Sequence, residues 1–253
     1  MPYFNIVAET SENTVVTEYE PVKKRSDSYQ SEAELEQEFI RLLCEQGYEY
    51  LLIHTEKDLI ANLRKKLEEL NNYQFSDTEW DDFFKNAVAN PNEHIVEKTR
   101  KIQEDNVQVL TRDDGSSKNI TLIDKKNIHN NRLQVINQYK VNASAENGAK
   151  HDNRYDVTVL VNGLPLVHIE LKRRGVAIRE AFNQINRYQR DSFWAGCGLY
   201  EYIQIFVISN GTNTKYYSNS TRRNAEKEHE KRGASKTKTS NSFEFTCFWA
   251  DAN

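Results

Sequence analysis

The spacing of apolar residues predicts a helical first third of the chain after a polar, irregular start over residues 1–28. Apolar side chains then recur every three or four residues in three segments, and each segment carries residues that typically begin or end a helix. The N-cap candidate Ser31 and the terminator Gly47 bound the first segment. The other two are a leucine-rich segment over residues 59–70 and one that begins with the capping-box pair Ser76 and Glu79. We therefore expect a helical part over about residues 29–100.

The hydrophobic period changes from about Ile120 onward, where apolar and polar residues alternate as they do in strands. The alternating segments are "NITLID", residues 133–141, the hairpin-like stretch 155–175 around Asn162-Gly163, and "YIQIFVISNG". Between the last two, Val176 to Arg190 carries apolar residues on one stripe, which indicates an amphipathic helix packed on the sheet. We expect one domain whose sheet-containing core covers about residues 118–253.

A basic run interrupts this pattern near the end of the chain. Residues 222–240 hold seven Lys or Arg and three Glu, with almost no apolar side chains. Such a composition cannot bury enough apolar surface to order itself, which predicts a mobile surface loop over about residues 220–241 that is dispensable for folding.

Composition and charge exclude several classes of protein. With 38% hydrophobic and 28% charged residues, the 253-residue chain can bury a substantial core and is not disordered as a whole. A formal charge of −4 argues against a general polyanion binder, although a local basic face can coexist with it. Three widely spaced cysteines favour neither a zinc cage nor a disulfide framework. There is no secretory signal and no apolar run long enough to span a bilayer, so we expect a cytoplasmic protein without membrane contact.

The stretch "YDVTVLVNGLPLVHIELKRRG" carries the candidate chemistry, because charged residues end two otherwise apolar strands. Residues two apart in a strand point the same way, so Glu170 and Lys172 share a face while Leu171 points into the core. If the neighbouring strand adds Asp156, two carboxylates and the Leu171 carbonyl form an oxygen-only pocket suited to Mg²⁺. Such a pocket can support metal-assisted phosphodiester hydrolysis. The alternative is that these are ordinary charges on a solvent-facing strand.

Strand parity sets a condition on this pocket. A regular hairpin with the two-residue loop Asn162-Gly163 would pair Asp156 with Ile169, which leaves Glu170 on the wrong face. A shared metal site therefore requires a three-residue loop or one β-bulge between the strands.

The helix that follows adds a basic surface beside the acidic residues. From Lys172 to Arg190 there are six Lys or Arg and one Glu, a local charge of +5 in an acidic chain, as a surface that tracks phosphates requires. Gln184 and Tyr188 lie four apart on one helix face, with Arg187 beside them. A solvated helix face that happens to be basic is the alternative interpretation.

Asp156, Glu170-x-Lys172 and Gln184-x-x-x-Tyr188, in this order, resemble the PD-(D/E)xK nuclease superfamily in its RecB-like branch. More closely, "RYDVTVLVNGLPLVHIELKRRGVAIREAFNQINRY", "LIDKKN" and "FVISNGT" resemble the N-terminal nuclease region of the restriction, or motor, subunit of type I restriction enzymes. The likeness extends from about Ser28 to about Trp249.

This resemblance implies an α/β fold of the restriction-endonuclease type, with a mixed central sheet flanked by helices and a helical N-terminal elaboration. It also implies Mg²⁺ as cofactor, double-stranded DNA as substrate, and modification and specificity subunits as partners. In this family the subunit continues into ATP-driven translocase domains, so we expect the sequence to be a piece of a longer chain and ATP to bind only the full-length subunit. Carried over by position, the metal ligands would be Asp156, Glu170 and the Leu171 carbonyl, and Lys172 would be the catalytic lysine. Gln184 and Tyr188 would form the supporting motif, and Arg187 is a candidate for DNA binding.

Two features depart from the family pattern, and other functions stay open. Tyr155-Asp156 stands where the motif has Pro-Asp, and the basic run over residues 222–240 looks like an insertion. A catalytically silent DNA-binding or assembly module of the same fold, or a nuclease of another DNA-processing system, would share these motifs. A Walker A motif after the end of this sequence would favour the restriction subunit. In the first helix, Glu32, Glu36 or Glu38 could assist the metal, or these acids could simply interact with the helix dipole.

Overall fold

The fold is described here from a computed structural model, which covers residues 3–9, 15–20, 31–143, 151–219, 243 and 246–250. The basic run over residues 222–240 lies outside the described residues, so the mobile loop expected there stays a prediction.

Five α-helices form in the described residues, four of them where the apolar spacing predicts them. Ser31 and Ser76 cap the first and third of these helices, each through a complete capping box. The third continues as a π-helical turn over Phe84–Val88. The helices are α1 (Glu32–Glu45), α2 (Glu56–Asn71), α3 (Asp77–Phe83), α4 (Ile95–Gln103) and α5 (Ile178–Asp191).

Eleven strands in the described residues form one large sheet and two small ones. The strands are β1 (Tyr3–Glu9), β2 (Val15–Glu20), β3 (Glu49–Tyr50), β4 (Val107–Thr111), β5 (Ser117–Thr121), β6 (Leu133–Val141), β7 (Asn153–Val161), β8 (Leu164–Leu171), β9 (Ile205–Ser209), β10 (Asn213–Ser218) and β11 (Cys247–Ala250). The large sheet has seven strands in the order β11-β10-β9-β8-β7-β6-β3, and it is mixed, because β8 pairs with β9 and β3 with β6 in parallel. This confirms the expected α/β class with a mixed central sheet flanked by helices.

Helices cover both faces of this sheet, which explains how its strands can carry apolar residues on either side. The α1-side core packs α1 against Val135, Val157, Ile169 and Leu171. The larger α5-side core packs α2, α3 and α5 against the other face and includes Leu63, Phe83, Phe182, Ile185 and Tyr188. None of the helices in the described residues is long and apolar enough to cross a membrane.

The structure corrects the sequence expectation at several elements. The first 28 residues, expected to be irregular, include the antiparallel strands β1 and β2. The segment "NITLID" does not join the central sheet, since β5 pairs only with β4 in a separate two-stranded sheet among the described strands. Strand β4 and helix α4 were not singled out in the predicted pattern.

The hairpin of β7 and β8 meets the parity condition by means of a bulge. Its turn is the two-residue loop Asn162-Gly163, in which both residues have positive φ, as a type I′ turn requires. The register then shifts, because Val159 pairs with Val167 while Leu160 pairs with Pro165, which leaves Leu166 as an extra residue. Below the bulge Val157 pairs with Ile169, so the register brings Asp156 opposite Glu170.

A second irregularity lies in β6 and β7 at the level of Asp156. Strict alternation predicts Val135 and Tyr139 on one face, yet Val135 packs in the α1-side core and Tyr139 in the α5-side core. The change occurs at Gln138, whose φ is 54°. In the register, Gln138 lies opposite Asp156, between the pairs Asn137–Val157 and Tyr139–Tyr155. Regular alternation therefore ends where the candidate acids are placed.

Candidate active site

The hairpin brings the two carboxyl groups of the candidate site together. The backbone N–H of Leu171 donates to Oδ2 of Asp156 at 3.0 Å, which ties the two strands at the end of β8. The strand register brings Asp156 opposite Glu170, and the charge of Glu170 acts on the Asp156 carboxyl group. Glu170 is completely buried, which is rare for a carboxylate without a full set of partners. The structure therefore places both acids at one point of the sheet.

Lys172 completes this cluster at the end of β8. Its Nζ lies 3.2 Å from Oε1 of Glu170 and donates to the Leu171 carbonyl at 3.1 Å. The Lys172 side chain is 12% exposed, so part of it reaches the surface while its ammonium group contacts the buried acid. The ion pair fixes the lysine beside the acidic pocket.

Burial is the main disturbance of both acids. Burial, with the charge of Glu170 as the next cause, raises the pKa of Asp156 from 3.8 to about 7, whereas the hydrogen bond from Leu171 opposes the rise. Burial likewise raises the pKa of Glu170 from 4.5 to about 7, against the charge and hydrogen bond of Lys172. Two neighbouring carboxyl groups with raised pKa values are typical of a functional site.

Helix α1 supplies a third acid, and the structure distinguishes among the three candidates. Glu36 is buried, and the charge of Asp156 helps to raise its pKa, although burial is the main cause. Glu32 lies near the pocket as well, since its charge acts on Glu170 and its Oε1 accepts from the Arg173 backbone at 3.3 Å. Glu38 instead pairs with Arg41 on the exposed side of the helix.

Two adjacent amides hold the Glu36 carboxylate in place. Asn137 donates to Oε1 of Glu36 and Gln138 donates to Oε2. Consecutive strand residues normally point to opposite faces, so one carboxylate can accept from both only because the backbone turns at Gln138. The left-handed conformation of a non-glycine residue costs about 1–3 kcal/mol and persists where the surrounding structure imposes it. Strained backbone of this kind often lies at functional sites.

The supporting motif on α5 lies behind the acids. Gln184 donates to the Tyr188 hydroxyl, which in turn donates to the Arg154 carbonyl of β7 at 2.9 Å. Burial raises the pKa of Tyr188, and the charge of Glu170 contributes to the rise. The two motif residues therefore attach α5 to the strand that carries Asp156. Arg187 is exposed, and its guanidinium carbon lies 5.5 Å from the centroid of the Tyr188 ring.

The sequence reasoning assigned no role to His168, which lies directly beneath the acids. It is completely buried, and its Nε2 lies 3.5 Å from Oε2 of Glu170. Burial lowers the pKa of His168 from 6.5 to about 4, so the imidazole is neutral near pH 7. One signal was available in the sequence: His168 lies two residues before Glu170 in the same strand and therefore shares its face.

The donor set fits a hard divalent cation. Oε2 of Glu170 is buried without a hydrogen-bond partner, and the neighbouring donors are the Asp156 carboxylate and the Leu171 carbonyl, all of them oxygen. Across the described residues, no group of three or more His, Cys, Asp and Glu side chains is arranged as a metal cage. A cation held here would therefore need waters or substrate oxygens to complete its shell, as Mg²⁺ commonly does.

Comparison with known proteins gives the family. The model of the family described as "Type I restriction enzyme R protein N terminus" matches residues 29–225. The chain belongs to this family. It is 46% identical to the type I restriction enzyme EcoprrI endonuclease subunit of Escherichia coli over 248 residues, which are 98% of this chain and 72% of that protein. This confirms the resemblance stated from the motifs.

Other members of the family are much longer than this chain. The chain is 40% identical to the SsaAORF53P endonuclease subunit of Staphylococcus saprophyticus over 196 residues, 76% of this chain and 20% of that subunit. It is 39% identical to the SauMSSORF170P endonuclease subunit of Staphylococcus aureus over 197 residues, again 20% of that subunit. The chain thus spans about a fifth of the length of these two relatives.

Proposed function

We propose that this chain is the Mg²⁺-dependent endonuclease domain of a type I restriction R subunit and that it hydrolyses phosphodiester bonds of double-stranded DNA. The observation that carries the proposal is the convergence of Asp156, Glu170 and Lys172 at one end of the β7–β8 hairpin, where the completely buried Glu170 lies opposite Asp156 and its carboxylate contacts the Lys172 ammonium group. Membership in a family of restriction R proteins supports it independently.

Each residue of the cluster has a distinct part in this proposal. Asp156, Glu170 and the Leu171 carbonyl would hold Mg²⁺, which supplies positive charge at the scissile phosphate and lowers the pKa of the attacking water. Lys172, whose ammonium group is fixed 3.2 Å from Glu170, would stabilise the negative charge that develops on the phosphate oxygens. Gln184 and Tyr188 would keep the Asp156 strand in position through the Arg154 carbonyl.

The same proposal assigns partners to the whole protein. The relatives are named as endonuclease subunits of type I restriction enzymes, which supports assembly with modification and specificity subunits in the cytoplasm. The greater length of the Staphylococcus subunits supports ATP-driven translocase domains beyond the matched region. On this view residues 1–253 form one nuclease domain, and ATP binds only to the full-length subunit.

The test is DNA cleavage by the reassembled enzyme that contains this chain in its full-length R subunit. Lys172→Ala and Glu170→Ala should abolish Mg²⁺-dependent cleavage of plasmid DNA and leave ATP hydrolysis intact. Lys65→Ala, which removes an exposed lysine from α2, serves as the matched control and should cut like the unchanged protein. Normal cutting rates from folded Lys172→Ala or Glu170→Ala protein would refute the assignment. Absence of cleavage by the unchanged enzyme would favour a catalytically silent module.

A further inference from the structure

The ring of His168 lies in a closed aromatic box beneath the acidic pocket. Its centroid is 5.5 Å from those of Tyr155 and Phe193 and 6.0 Å from that of Tyr188, in each case edge to face. The side chain is completely buried. A phenylalanine of similar shape would fill such a box without bringing any polar atom into it. The presence of an imidazole therefore needs a reason other than packing.

Neither nitrogen of this imidazole has a hydrogen-bond partner in the described part of the chain. A buried polar group that stays unpaired costs about 1–3 kcal/mol, so two of them on one ring are unfavourable for folding alone. A neutral imidazole carries one N–H donor and one acceptor nitrogen. Oε2 of Glu170 lies 3.5 Å from Nε2 of His168 and could accept a hydrogen bond from it. That oxygen is also buried without a partner.

The two unpaired atoms therefore face each other across a gap slightly longer than a normal hydrogen bond, which is about 2.7–3.2 Å for a nitrogen donor. A shift of less than an ångström in the Glu170 carboxylate would close it. His168 also interacts electrostatically with Asp156, so it lies under both acids and not under Glu170 alone. Within the described part of the chain, this buried imidazole thus faces a potential partner among the candidate metal ligands.

We propose that His168 is a positioning residue, whose Nε2–H donates to Oε2 of Glu170 and fixes the orientation of that carboxylate toward the bound cation. This inference rests on the proposed function and deepens it. Residues that orient a metal ligand from behind typically change metal affinity by about 10–100-fold when they are removed.

The aromatic box explains how the position of the imidazole is set. Tyr188 packs against the His168 ring and is itself held by Gln184 and by the Arg154 carbonyl. The motif on α5 is therefore linked to Glu170 through the His168 ring, and to Asp156 through strand β7. A single packed layer orients both acids.

The experiment measures Mn²⁺ and Mg²⁺ binding to the 253-residue chain by isothermal titration calorimetry, together with thermal melting without metal. His168→Phe keeps the ring and removes the donor, and it should weaken metal binding about tenfold or more without lowering the melting temperature. His168→Gln offers an amide nitrogen near the position of Nε2 and should retain affinity within a few-fold. His168→Asn, which is too short to reach Glu170, should bind as weakly as His168→Phe.

His54→Phe is the matched control, because Nδ1 of His54 is also buried without a partner but lines a separate cavity beside Cys197. It should leave metal affinity unchanged.

If His168→Phe binds metal like the unchanged chain, the inference is overturned while the proposed function stands. If His168→Phe does not fold, equal affinities of His168→Gln and His168→Asn overturn it instead. If the unchanged chain binds no metal at millimolar concentration, the metal site of the proposed function fails, and the inference fails with it.

Discussion

At the scale of single residues, the site combines features that oppose folding. The completely buried carboxyl group of Glu170 lies opposite the partly buried Asp156, and Lys172 forms an ion pair with Glu170. The raised pKa values of Asp156 and Glu170 mean that both acids hold their protons more tightly in the folded chain than in the unfolded chain. Ionising them without a cation therefore costs stability, a trade between function and folding that is common at active sites.

The first prediction concerns the pH dependence of stability in the absence of metal. The folded pKa of Glu170 is about 7 and its ordinary value is 4.5, so stability is lost as the pH rises through this window. His168, with its lowered pKa, acts in the opposite direction, so the contribution of Glu170 must be isolated by comparing variants. Glu170→Gln should melt at a higher temperature than the unchanged chain above about pH 7, and the difference should shrink toward about pH 4.

Thermal melts in a metal chelator across this pH range provide the measurement. Glu38→Gln serves as the control, because Glu38 lies in helix α1, as Glu36 does, but is exposed and paired with Arg41. A difference between Glu170→Gln and the unchanged chain that does not vary with pH would contradict the buried, proton-binding state of Glu170.

The second prediction concerns Tyr188, where burial changes the choice of variant. If Tyr188 only supported the site from its helix, Tyr188→Ala would impair cleavage more than folding. However, Tyr188 is 1% exposed and packs among aromatic rings, so truncation to Ala should cost about 3–5 kcal/mol of stability. Tyr188→Phe removes only the hydroxyl that links Gln184 to the Arg154 carbonyl. It should reduce cleavage by the reassembled enzyme while unfolding in urea changes by about 1–3 kcal/mol. Unchanged cleavage by Tyr188→Phe would contradict a supporting role for that hydroxyl.

At the scale of elements, the β7–β8 hairpin determines whether the acids meet. Its turn fits against helix α2, because a Cβ added to Gly163 would lie 2.6 Å from the Cα of Leu63. Gly163 also has a φ of +85°, which side chains rarely adopt. The turn and the bulge next to it are therefore held by a helix from the first third of the chain.

The third prediction tests this contact with a matched pair of glycines. Gly163→Ala should lower the free energy of unfolding by several kcal/mol, because it adds overpacking of about 1–3 kcal/mol to the cost of positive φ. Gly115→Ala has a similar φ of +78° with nothing near the added methyl group, so it should cost only about 1–2 kcal/mol. Urea unfolding of both variants gives the comparison. Equal losses would mean that the close approach to Leu63 contributes nothing.

The elements also show which parts of the site the sequence can predict. Hydrophobic spacing and capping residues were sufficient to predict α1, α2, α3 and α5. The motif spacing singled out Asp156, Glu170 and Lys172, which the structure brings together. Parity required a bulge or a longer loop but could not choose between them, since the extra residue, Leu166, resembles its neighbours. The left-handed conformation of Gln138 was not predictable, because it depends on contacts with Glu36, which is 102 residues away. Long-range contacts of this kind leave no mark on local spacing.

At the scale of the whole molecule, charge is distributed unevenly. The chain carries −4 overall, while the segment from Lys172 to Arg190 carries +5. In the structure this segment starts at the acidic pocket and forms α5, and most of its basic side chains are exposed. An acidic protein with one basic face should repel DNA in most orientations and bind it in the orientation that brings the phosphates to the pocket.

The last prediction tests that orientation through salt dependence. Arg187 is exposed and makes no salt bridge with an acidic residue of the described part of the chain, so its charge is available to a phosphate. Arg187→Ala should weaken DNA binding, and the slope of log affinity against log salt concentration should become shallower by about 0.9, the value for one phosphate contact. Arg41→Ala is the control, since Arg41 is also exposed but already paired with Glu38 and Glu45. Fluorescence anisotropy with duplex DNA at several salt concentrations measures both slopes. If Arg187→Ala and Arg41→Ala have the same slope, DNA does not follow α5, and the basic helix face is only a solvated surface.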